Sequence, residues 1–241
     1  MTYRAPINDI LLALNHGAGL QAAVDAGHLG DYDADIAAAV LEEAGKFASD
    51  VLAPLNRVGD QNGIKLSDNK VTTAPGWPDA YQRWTAAGWN AVAGSEEFGG
   101  QGLPGAINAA CTEIWSAANI AFELCPLLTA SAIEALDAHG SDELKNIYLA
   151  KLISGEWPGT MQLTEPHAGS DVGLLRSRAE RAGDGTYRIS GTKIFITYGD
   201  HDMTDNIIHF VLARLPDAPA GTKGISLFLI PKFLVNADGS L

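Results

Sequence analysis

The residues able to do chemistry gather in two short phrases. The first, Met161-Gln-Leu-Thr-Glu-Pro-His-Ala-Gly-Ser-Asp171, is an apolar run that stops at Glu165-Pro166 and becomes a small polar segment. The second, Gly191-Thr-Lys-Ile-Phe-Ile-Thr-Tyr-Gly199, begins twenty residues after Asp171. Each sets a hydroxyl, Thr164 or Thr197, at the end of a β-prone run and beside a turn. Hydroxyls and backbone N–H groups suit the polar edge of a flat cofactor, and Phe195 or Tyr198 suits its face. Ala168-Gly169-Ser170 carries no bulk, so its backbone can approach a phosphate closely. Taken singly, each threonine reads better as a strand residue favoured for its branching, and the ligand reading rests on the two phrases coming together in order. The carboxylates Glu96, Glu97, Glu165 and Asp171 suit acid–base work. For Glu165 and Asp171, which bracket a turn, the competing reading is hydrogen bonding to backbone N–H groups.

Other chemistries lack their residues. The six histidines, His16, His28, His139, His167, His201 and His209, include no pair four apart and no H-E-x-x-H, so no metal site is expected. Cys111 and Cys125 form no C-x-x-C and read as buried thiols. Gly100-Gln-Gly102-Leu-Pro-Gly105 matches G-x-G-x-x-G, but it follows a polar segment between helices instead of a strand, and reads as a turn. There is no G-x-S-x-G elbow. A net charge of -13 argues against a phosphate-backbone partner, so no nucleic acid is expected. No secretory signal is apparent, and no apolar run approaches the about 18 residues of a membrane span, so a cytoplasmic protein is expected.

The elements that must position the phrases fall into two kinds, an α+β arrangement. Residues 1–158 read as an all-helical domain. Pro6 opens a helix with Ile10, Leu11 and Leu14 on one face. Asp33 or Asp35 caps a second, carrying Ile36, Val40, Phe47 and Val51 and ending at Pro54. Segment 56–76 is loop-like with room for a hairpin. Pro78 opens a third helix ending near Gly88. Gly105 to Leu124 and Pro126 to Ala138 read as separate helices, the latter stopped at His139-Gly140. Ser141 starts a final helix closed by Gly155. Residues 159–241 read as a small antiparallel, barrel-like β domain, with strands at 160–164, 176–181, 186–190, 193–197, 206–214 and 224–231. Asp184-Gly185 signals a hairpin.

Leu163-Thr-Glu-Pro-His-Ala-Gly-Ser-Asp171 followed by Gly191-Thr-Lys-Ile-Phe-Ile-Thr197 resembles the signature of the acyl-CoA dehydrogenase family, T-E-P-x-A-G-S-D and then G-x-K-x-[WF]-I-T. Glu96-Glu-Phe-Gly-Gly-Gln-Gly102 is similar to that family's glycine-rich segment, and the N-terminal extension to its longer bacterial branch that includes 3-methylmercaptopropionyl-CoA dehydrogenases. The resemblance spans essentially the whole chain. It implies FAD-dependent α,β-dehydrogenation of an acyl-CoA thioester, with electrons passed to an electron-transfer flavoprotein, in a homo-oligomer. It assigns Met161, Leu163, Thr164, Gly169 and Ser170 to one side of the FAD, Ser170 also to the CoA portion, and Phe195, Ile196 and Thr197 to the other. Oxidases, monooxygenases and a DNA-damage-response branch share the signature. An alternative is a non-catalytic assembly subunit completed by a separate helical chain. Two departures stand out: Phe195 occupies a position where many members have Trp, and Met161 one often aromatic. The resemblance also implies a C-terminal four-helix domain carrying the catalytic glutamate. No residue here matches that base, so the chain alone is expected to be inactive, with the middle domain incomplete and FAD bound weakly.

Overall fold

The computed structural model describes residues 3–29, 33–236 and 238–241. Helices α1 (Ile7–Leu12), α2 (Leu20–Asp25), α3 (Ala34–Phe47), α4 (Ala53–Asn62), α5 (Trp77–Ala86), α6 (Gly105–His139) and α7 (Asp142–Ser154) come first, interrupted only by a small hairpin of β1 (Lys65–Ser67) and β2 (Lys70–Thr72). Strands β3 (Gly159–Gln162), β4 (Arg178–Arg181), β5 (Tyr187–Ser190), β6 (Ile208–Arg214) and β7 (Ile225–Pro231) follow. The helix starts obey local chemistry. Asp33 accepts from the N–H groups of Asp35 and Ile36, and Ser141 from that of Leu144, each satisfying free first-turn donors.

Neither Pro54 nor Pro126 breaks its helix. Past Phe47 the chain runs through a π-helical turn, Ala48–Leu52, directly into α4, and Pro54 falls in the first turn of α4, where its missing N–H is not needed. Residues 56–62 are therefore helix and not loop, while the expected hairpin begins at Lys65. Likewise α6 stays helical across Pro126, and the expected pair of helices is present but divided elsewhere. Its bend lies earlier, at Asn119 (φ -160°, ψ 85°). The buried Asn119 amide replaces what the bend removes: Nδ2 donates to Leu52 O (3.1 Å) and Oδ1 accepts from Phe122 N (3.1 Å). By composition alone α6 contains an 18-residue window apolar enough to cross a membrane, although polar residues interrupt it. Half of that window is buried in the protein, and Ile107, Cys111, Ile114, Trp115 and Phe122 pack with Trp77 and Trp84 in the helical core.

The sheet is mixed, not all antiparallel. Strand β6 is its axis: β7 pairs antiparallel along one edge, from Ile208↔Pro231 to Arg214↔Ile225. On the other edge β3 runs parallel to Ile208–Val211, and β4 meets Arg214 in parallel beyond it. Only β4–β5, joined through Asp184-Gly185, and β6–β7 are antiparallel. The β3 and β4 pairings are parallel because long connections let each strand return in either direction. Segment 193–197 is not a strand at all; it pairs with no strand and forms turns. Helices and sheet share packing: Ile208 and Phe210 lie in a cluster with Leu149, Leu152 and Trp157, and Met203 inserts among the helices.

Candidate functional site

The first phrase leaves β3 at Gln162 and closes a tight turn in which Glu165 and Ala168 exchange backbone hydrogen bonds of 3.0 Å. Glu165 then points inward and is buried. Its carboxylate accepts from Arg176 N (2.7 Å), Ser177 N (3.0 Å) and Lys193 Nζ (2.9 Å). Burial pushes this carboxyl up, but the hydrogen bonds from Ser177, Lys193 and Arg176 outweigh it and hold it down at about 2. Asp171 accepts from Gly173 N (3.0 Å). Both carboxylates thus bond the backbone, as the backbone-bonding reading has it; Glu165 is buried and fully engaged, while Asp171 is exposed with this one bond.

Lys193 joins the two phrases. Its side chain is only 8% exposed, and its ammonium also donates to Leu163 O (3.0 Å). Beside it, Ile194 N donates to Thr164 O (3.0 Å). Gly191, at φ +147°, passes so close to Ser177 that an added Cβ would lie 2.2 Å from its Oγ. After Ile194 the chain turns sharply. Phe195 and Tyr198 both take left-handed backbone (φ +56° and +52°), uncommon for bulky residues, and Gly199 N returns to Ile196 O (3.1 Å). Tyr198 Oη donates to Ala121 O in α6 (2.6 Å) and accepts from Trp77 Nε1 in α5 (3.0 Å). Burial pushes the Tyr198 phenol further up, so it stays a donor. Asp202 then accepts from both N and Oγ1 of Thr73 (3.0 and 2.7 Å), tying the end of the turn to the helical part.

The residues assigned to FAD from the sequence lie on the two phrases that this staple joins, and of them only Ile196 lines a cavity beside it. Met161, Gly169, Ser170, Phe195 and Thr197 are exposed, and Leu163, Thr164 and Ile196 half-buried. Phe195 is 89% exposed, an isolated ring on strained backbone. The N–H groups of Thr164, Phe195, Ile196 and Thr197 meet no acceptor among the described residues. The turn Ile196–Asp200 separates two cavities. One, of about 380 Å³, lies against Trp77, Ala121 and Tyr198; the other, of about 450 Å³, lies against Gln162, Ser177 and Lys193. Sequence reasoning passed over Lys193, because a lysine beside a short apolar run is as readily solvated and only the fold supplies its buried counter-charge. Tyr198 had been credited only with covering a ring, and instead it anchors the turn.

Elsewhere the described residues hold no group of three or more metal-ligating side chains. His201 and His209 are lowered to about 4, chiefly by burial, and are neutral at pH 7. The G-x-G-x-x-G segment is a loop ahead of α6, where a Cβ on Gly100 would meet Gly94 O at 2.0 Å. Glu123, in α6, is buried with Oε2 unpartnered, and burial raises it to about 8.

Comparison with known proteins covers both parts of the chain. Residues 35–156 match the family model for the acyl-CoA dehydrogenase N-terminal domain, and residues 160–239 that for the acyl-CoA dehydrogenase middle domain. Over 239 residues the chain is 47% identical to 3-methylmercaptopropionyl-CoA dehydrogenase of Ruegeria pomeroyi, covering 99% of this chain and 41% of that protein. Among solved structures, butyryl-CoA dehydrogenase from Megasphaera elsdenii superposes with a TM-score of 0.68 at 25% identity, over 84% of this chain and 50% of that one. An FAD complex of PigA superposes with a TM-score of 0.66 at 28% identity, over 84% and 49%. The chain therefore spans about two fifths of the curated relative and half of each solved chain.

Proposed function

The chain belongs to the acyl-CoA dehydrogenase family, and on that premise we propose that the two stapled phrases hold the isoalloxazine of FAD and the adjoining part of an acyl-CoA thioester. One observation carries the reading. Lys193 and Ile194 bind the first phrase to the second, and the N–H groups of Thr164, Phe195, Ile196 and Thr197 are left without partners among the described residues. Unpaired donors beside an exposed aromatic ring fit a flat heterocycle whose edge carries acceptors. The FAD complex of a structural relative, PigA, supports the choice of cofactor.

In this reading Thr164 and Thr197 present hydroxyls and N–H groups to the ring edge, Phe195 covers a face, and Met161, Leu163 and Ile196 form apolar wall. Gly169 has open space around its Cα and Ser170 is exposed, so this segment admits the pantetheine chain and offers it a hydroxyl. When bound, the flavin supplies a hydride acceptor for the substrate's β-hydrogen. The chain's own task is to bind, orient and exclude water. Glu165 and Asp171 bond the backbone, so removal of the α-proton is assigned to none of these residues, and this chain by itself is proposed to be inactive. Electrons would leave to an electron-transfer flavoprotein. The 47% identity to 3-methylmercaptopropionyl-CoA dehydrogenase makes that thioester the first substrate to try.

The test begins with FAD titration of the 241-residue chain. Weak, saturable quenching of flavin fluorescence is expected, abolished by Thr197→Pro, which deletes an N–H and distorts the turn. A longer protein containing this chain is expected to purify yellow and to bleach on adding 3-methylmercaptopropionyl-CoA or butyryl-CoA. Absence of bound flavin from both proteins overturns the proposal.

A further inference from the structure

Phe195, Ile196 and Thr197 form a short shelf with almost no packing of its own at Phe195 and Thr197. Strained bulky residues persist only where their surroundings over-determine them. On the N-terminal side that constraint is plain: Lys193 and Ile194 are bonded to Leu163, Thr164 and Glu165. On the C-terminal side the next fixed point is Tyr198. Its hydroxyl makes two hydrogen bonds to two different helices, at Ala121 O and Trp77 Nε1. Its ring packs against the helical core and meets His201 edge-on at 5.9 Å. The Ala121 carbonyl lies two residues beyond the Asn119 bend, so the anchor point is itself set by the shape of α6.

We propose that Tyr198 is a positioning residue for the cofactor shelf: by bonding the bend of α6 and Trp77 of α5, it holds Phe195–Thr197 at a defined height above the first phrase. The proposal rests on the flavin reading above. It makes the helical part a determinant of cofactor geometry, although no helical residue belongs to the two phrases. Trp77 acts in the same device, holding the phenolic oxygen from the side opposite Ala121's demand for its proton. Loss of the hydroxyl with the ring retained releases both bonds and frees the shelf at one end.

The test compares the unaltered protein with Tyr198→Phe, and with Asp33→Ala as a control that weakens the fold at the remote start of α3. Tyr198→Phe is expected to raise the Kd for FAD about five- to tenfold, in keeping with one or two modest hydrogen bonds, and to shift the visible flavin band. Asp33→Ala is expected to lower Tm with neither effect. Trp77→Phe combined with Tyr198→Phe is expected to add little to Tyr198→Phe alone, because the two act as one unit. Amide hydrogen exchange supplies a readout that needs no cofactor: Tyr198→Phe is expected to speed exchange across 194–199 while 208–214 stays protected. A lowered Tm with unchanged exchange at 194–199, Kd and flavin band overturns the proposal and makes Tyr198 merely structural. Faster exchange in a protein that binds no FAD even unaltered overturns the flavin reading and leaves the tether standing.

Discussion

Replacing Lys193 by methionine tests the staple on which the site depends. The side chains of Lys193 and Glu165 are 8% and 2% exposed and lie 2.9 Å apart. Lowering Glu165 from 4.5 to about 2 corresponds to about 3 kcal/mol of native-state preference for the carboxylate, at about 1.4 kcal/mol per pH unit. That carboxylate has several donors, and Arg176 N and Ser177 N remain in the variant. Breaking a buried pair by removing one partner costs about 3–5 kcal/mol, and the remaining donors bring the expectation for Lys193→Met to about 2–3 kcal/mol. For a chain of this size that is a fall in Tm of about 5–10 °C. The pH dependence carries a sign of its own. The folded value is depressed, so Glu165's contribution is present above pH 4.5 and is lost as pH falls through about 2. Without the ammonium the folded value rises, so the acid-side loss, which starts near pH 4.5 in both proteins, becomes smaller and is complete at higher pH. Urea denaturation at pH 7 and at stepped pH down to 3 measures both effects. Glu165→Gln and the double variant close a cycle whose coupling is expected to be about 2 kcal/mol. A loss below about 1 kcal/mol at pH 7, with an unmoved acid limb, would refute the claim that the two phrases are joined by a buried ion pair.

Three further outcomes follow from the same structure. Glu123→Gln removes a buried acid raised from 4.5 to about 8; because the folded state holds the proton, the natural protein loses stability as pH rises through that window, so the variant's advantage grows by up to about 4 kcal/mol between pH 5 and pH 9 in denaturation curves. Asn119→Ala strips the bend of α6 of both side-chain bonds and exposes Leu52 O and Phe122 N as unpaired buried groups, a loss of about 2–3 kcal/mol read from the urea midpoint. Because Glu165 and Asp171 are both engaged, the 241-residue chain supplied with FAD and an acyl-CoA is expected to reduce no dye, and sustained turnover would show that a base is present after all.

Much of the molecule was legible in the chain because its causes are local. Asp33 and Ser141 cap helices with their own side chains, and Asp184 accepts from Thr186 N across the expected hairpin. Apolar spacing marked the buried Ile10 and Leu14 near the start of the chain, whereas over α3 it picked Ile36, which is exposed, and missed Ala37, Leu41 and Ala44. The pairing of the T-E-P-x-A-G-S-D and G-x-K-x-F-I-T phrases pointed to the family before any fold was known. The turn-forming role of Glu165 and Asp171 was also readable, since a carboxylate beside a tight turn has backbone donors at hand.

What tertiary structure alone decided depends on partners far along the chain. Lys193-Ile-Phe-Ile-Thr197 has the composition of a strand, yet no neighbouring strand pairs with it. Tyr198 draws its end toward Ala121 and Trp77, and two left-handed residues are imposed on a β-prone run. Pro126 and Pro54 look like helix ends in isolation; the first is carried by packing around it and the second by its place in a first turn. The parallel pairing of β3 and β4 with β6 could not be read from propensity, which favours extended backbone without choosing its direction. The two phrases by themselves carried the family resemblance. That they meet, stapled by a buried Lys193–Glu165 pair, was settled only when residues 28 apart came within hydrogen-bonding distance, because charge burial is favourable only where the fold supplies the partner.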